Sequence, residues 1–84
     1  MNYREAEKKR KESLDRVDTV DEKGFTIKEI WIIPSEENAQ NQWIERYLSG
    51  EPESNPDIHA DYEVWAVDTD YLRRSGILFY DKIA

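Results

Sequence analysis

Cysteine is absent from this 84-residue chain, and histidine and methionine occur once each. Without cysteine there are no disulfides, no thiolate zinc ligands and no thiol nucleophile, so the fold must rest on its core. The absence also suits a reducing cytoplasm. Any imidazole chemistry has to use His59, and no serine stands in a Gly-x-Ser-x-Gly setting beside it. Three glycines, none clustered, leave no phosphate-cradling loop. No apolar run approaches the roughly 18–20 residues of a membrane span, and the N-terminus lacks the apolar core of a signal peptide. A soluble, cytoplasmic protein is the expectation.

Cations are scarce in one half of the chain. Between Ser35 and Leu72 there are ten acidic side chains and one basic one, Arg46. The preceding 34 residues carry eight acids and eight Lys or Arg. The net charge of −7 disfavours a direct grip on DNA, RNA or anionic lipid, and a one-signed half attracts basic partners.

What is present is aromatic. Three Trp, five Tyr and two Phe give a short chain large areas to bury, and a 38% hydrophobic fraction argues against disorder. The length corresponds to a single domain, 1–84. Residues 2–16 read as a charged helix with a thin apolar stripe of Tyr3, Ala6, Leu14 and Val17. Residues 17–21 are a short strand or loop, turned by Asp21 to Gly24 into a strand over 25–33. The end of that strand is apolar on both faces, which predicts cover from two sides. Ser35 is the expected N-cap of a helix over 36–48, with Ala39, Trp43, Ile44, Tyr47 and Leu48 on one face. Clean alternation over 58–67 predicts a half-buried strand; 69–75 is a turn or one helical turn ended by Gly76, and 77–83 a last strand. The expected fold is α+β: a small, mainly antiparallel sheet of three to four strands, with helices of about 2–16 and 36–48 packed on one face.

Several constellations carry side chains that chemistry could use. Asp57, His59, Asp61 and Glu63 share one face of the expected third strand, about 6.6 Å apart, as a hydrolase or nuclease metal site would use them. A straight row diverges, however, and a solvated strand face is the simpler reading. Pro56-Asp57 begins like a PD-(D/E)xK nuclease, but Trp65 stands where the lysine belongs. Asp68-Thr69-Asp70 opens like an EF-hand loop, but Leu72 and Arg73 fill the next ligand and glycine positions. Lys8 to Lys11 lies among neutralising acids, and Arg73 and Arg74 are expected to pair with Asp68 and Asp70.

The acidic tract is what remains. It predicts a non-enzymatic protein, without cofactor or metal, that docks on a basic, nucleic-acid-binding surface of a larger protein and inhibits it. The expected contact set is Glu51, Glu53, Asp57, Asp61, Glu63, Asp68 and Asp70 with Trp65, flanked by Glu36 and Glu37. In size and charge the chain resembles phage-encoded anti-defence inhibitors, anti-CRISPR proteins among them, although no motif carries that likeness. The metal-dependent hydrolase built on Asp57, His59, Asp61 and Glu63 is one alternative, and an oligomeric assembly component is another.

Overall fold

Residue Asn2 starts the first helix by a reciprocal cap: its side chain accepts from Glu5 N–H at 2.9 Å, and Glu5 accepts from Asn2 N–H at 3.1 Å. In the computed structural model, which describes residues 1–52 and 55–84, helix α1 covers Tyr3–Glu12 and a 3-10 turn covers Leu14–Arg16. Strand β1 (Glu29–Pro34), helix α2 (Glu37–Leu48), strand β2 (Tyr62–Val67), helix α3 (Thr69–Ser75) and strand β3 (Tyr80–Lys82) follow. The strands form one antiparallel sheet in the order β1-β2-β3, a small α+β fold.

The sheet has cover on both faces, so the expectation of helices on one face is corrected. In β1, Ile30 belongs to a core with Tyr62, Val64, Ala66 and Ala6 of α1. Its neighbours Trp31 and Ile33 belong to a second core with Trp65, Val67 and Leu72, covered by Trp43, Ile44 and Tyr47 of α2. Alternate strand residues point to opposite faces, so a strand apolar at every position needs two covers.

Boundaries moved where hydrogen-bonding partners ran out. The expected strand over 25–33 begins at Glu29 because residues 18–27 bond to one another instead. Asp18 N–H donates to Ile27 C=O at 2.6 Å, and Ile27 N–H to Thr19 C=O at 2.9 Å. Residues 17–21 therefore contribute one isolated bridge, Val20 to Thr26, rather than a sheet strand. The turn at its tip is built as expected: the Asp21 carboxylate accepts from Lys23 and Phe25 N–H, and Gly24 takes φ +87°.

Glu36 is the N-cap of α2 in place of Ser35; its carboxylate accepts from Asn38 and Ala39 N–H at 2.9 and 2.8 Å. Residues 58–61 are not strand. Pairing reaches Pro34 opposite Tyr62 and Ser35 N–H on Asp61 C=O, after which the first partner turns into α2. Beyond that point residues 57–60 have nothing to pair with on β1. The last strand is likewise short, although Ile83 N–H still donates to Val64 C=O at 2.8 Å.

Candidate interaction surface

The expected row of Asp57, His59, Asp61 and Glu63 does not form, because Tyr62 is the first residue of β2. Asp57 closes a turn, its carboxylate accepting from His59 N–H at 2.9 Å. Asp61 pairs with the amine of Met1, which holds its carboxyl below the usual range. Glu63 is half-buried; it accepts from Trp65 Nε1 at 3.0 Å and lies 3.7 Å from Lys82 Nζ. Among the described residues no three His, Asp or Glu side chains come together as metal ligands.

The rest of the expected contact set divides by burial. Trp65 is 3% exposed and stacked on Tyr80 at 3.9 Å between centroids, so it is core rather than contact surface. Asp68 is buried as the N-cap of α3, accepting from Tyr71 N–H at 3.0 Å. Asp70 is exposed on the first turn of α3, and Glu51 is exposed 3.9 Å from Arg46. Glu53 lies outside the described residues. The arginines after α3's first turn do not take Asp68 or Asp70 carboxylates. Arg73 donates to Tyr47 Oη at 2.9 Å and covers its ring, and Arg74 Nε donates to the Asp70 carbonyl at 3.3 Å.

The acids of this half are thus sorted by their work in the fold. Among the described residues of 36–70, seven carboxylates are exposed (Glu36, Glu37, Glu45, Glu51, Asp57, Asp61 and Asp70) against the single cation Arg46. Glu36, Asp57 and Asp61 accept bonds that shape caps, turns and the N-terminal contact. Among the described residues, no such bond ends on the Glu37, Glu45 or Asp70 carboxylates.

A second feature has no linear signature in the sequence. A groove of about 780 Å³ follows the outer edge of β1, walled by α1 and α2 and bordered by Gly50 to Pro52 and Asn55 to Pro56. Its floor includes Trp31, Ile32 and Pro34, and its walls carry Arg10, Lys11, Arg46 and Arg73 with Glu7, Glu29 and Glu51. These cations come from three separate stretches of chain, which is why no linear motif announces them.

No protein-family model matches the chain, and neither a curated protein nor a solved structure is detectably similar to it.

Proposed function

We propose that this chain is a small non-enzymatic interaction protein whose acidic surface docks on a basic, nucleic-acid-binding surface of a larger protein and blocks it. One observation carries the reading: the described residues of 36–70 expose seven carboxylates and one cation. Such a field accelerates encounter with a basic patch and sets specificity, while competing with nucleic acid for the same charges. The contact set is redrawn by burial. Glu37, Glu45, Asp57 and Asp70 present carboxylates to solvent, whereas Asp68 and Trp65 are engaged inside the fold.

The test is affinity purification from the native host with the wild type and with the E37K/E45K and D57K/D70K variants. All four positions are exposed, so circular dichroism should report an unchanged fold. The expected result is a co-purifying basic protein that duplex DNA or salt releases and the reversed variants fail to retain. Equal recovery by wild type and variants would sink the proposal.

A further inference from the structure

We infer that the outer edge of β1 is a binding site for an extended acidic peptide, which joins the sheet as a fourth strand between α1 and α2. The hydrogen-bond pattern comes first. Ser35 N–H donates to Asp61 C=O at 3.0 Å, continuing the register in which Pro34 opposes Tyr62. Opposed residues of an antiparallel pair alternate between bonded and non-bonded kinds, so Ile33 and Trp31 also turn their backbone groups toward β2. Ile30, Ile32 and Pro34 then direct theirs to the free edge. Arg10 Nε, which donates to Ile30 C=O at 2.9 Å, marks that direction independently.

The edge is left partly open. Arg10 occupies one carbonyl, and Pro34 has no N–H to offer. Ile30 N–H, Ile32 N–H, Ile32 C=O and Pro34 C=O remain, and none of them has a backbone partner among the described residues beyond β1's own pairing. Exposed apolar edges are ordinarily blunted by charge, by shortness or by a covering element. Here six residues of strand with apolar side chains on both faces end in a groove. Trp31 in its floor is 3% exposed, and its indole N–H finds no acceptor among the described residues.

Charge selects the occupant. In a protein of net charge −7, the described residues that line this groove include four cations against three acids. Arg46 and Glu51 pair with each other, so Arg10, Lys11 and Arg73 face Glu7 and Glu29, whose carboxylate accepts from Tyr47 Oη. Side chains of an added strand point alternately to the two faces, so carboxylates at positions of opposite parity meet both walls. One set faces Arg10 and Lys11 on α1, the other Arg46 and Arg73. Backbone pairing supplies affinity and the two walls supply selectivity, the mode by which strands add to sheet edges. This inference does not rest on the acidic-surface reading, because the partner there is basic.

The experiment uses displayed eight-residue peptides with Asp or Glu at two positions of opposite parity and the others randomised, beside a matched Lys library. Selected peptides are titrated into the ¹⁵N-labelled protein. Enrichment from the acidic library is expected, with shifts at the Ile30 and Ile32 amides and the Trp31 indole N–H, and with Tyr80–Lys82 unmoved. The K11E/R46E variant, altered only at exposed positions, should weaken binding about tenfold or more, as should N-methylation of alternate peptide amides. Three results would overturn the site. These are no enrichment over the Lys library, shifts confined to β3 or the outer side of α2, or a sedimentation profile in which a second copy already protects the Ile32 amide.

Discussion

Where β1 presents Ile30 to its first cover, α1 answers with Ala6, which is fully buried; where it presents Trp31 to its second, α2 answers with Trp43 and Tyr47. Trp31 lies 4.7 Å from Trp43 and 4.9 Å from Tyr47 between ring centroids. One face is sealed by close approach and the other by area. Ala6 lets a highly charged helix settle onto small residues such as Val64 and Ala66, and Arg10 fixes it to the Ile30 carbonyl. The opposite face gathers aromatic rings, each of which buries roughly 150–250 Å². A helix with a thin apolar stripe can therefore hold its place if one small residue sits at the crossing. A helix over a flat aromatic face needs several large side chains.

Breaking the aromatic face should have the largest effect. Trp31→Ala removes the ring between sheet and α2 and should cost about 3–5 kcal/mol, a large part of the roughly 5–15 kcal/mol that holds a domain together. Denaturant unfolding measures it, and a loss below about 1 kcal/mol would mean that this face is not the principal one. The small-residue face should fail differently. Ala6→Leu inserts volume where none is free and should cost about 1–3 kcal/mol. Hydrogen exchange should then rise first along α1 and leave α2 protected, whereas Trp31→Ala should reverse that order.

The same comparison explains what the sequence could reveal. The doubly apolar end of β1, the alternation over 62–67 and the one-sided apolar face of α2 are local patterns, and each became the element it suggested. Residues 58–61 alternate just as well, yet Ile58 is 62% exposed, since a strand also needs a neighbour and β1 has ended. Phe25 to Ile27 look like more of β1 but belong to a hairpin made by the chain just before them. Of the expected contact set, Glu51, Asp57, Asp61 and Asp70 are exposed. Trp65 and Asp68 are buried by their places in the sheet and at a cap. The groove joins α1, β1, α2 and Arg73, so no linear stretch contains it.

A smaller effect is expected at the cap joining β2 to α3. Asp68→Ala removes the acceptor for Tyr71 N–H and should cost about 0.5–2 kcal/mol, loosening Leu72 from the aromatic face. Asp68→Asn or Asp68→Ser should restore most of it. If Ala and Asn unfold at the same denaturant concentration, the carboxylate is not acting as a cap.

The finest distinction between the faces is chemical. On the aromatic side, the Tyr47 hydroxyl donates to Glu29 Oε2 and accepts from Arg73. Burial raises its pKa above the ordinary value near 10, and the neighbouring Glu29 carboxylate adds to the shift. The folded state thus binds the phenolic proton more tightly than the unfolded chain does. Stability from this site is fully present below the unfolded value and is lost as pH rises through the higher folded value. The thermal midpoint should accordingly fall more steeply between about pH 9 and about pH 12 in the wild type than in Tyr47→Phe, which has no proton to lose there. Tyrosinate absorbance should show the matching late component, missing from the variant. Parallel alkaline slopes in the two proteins would place the Tyr47 hydroxyl in water and remove the polar anchor between α2, β1 and Arg73.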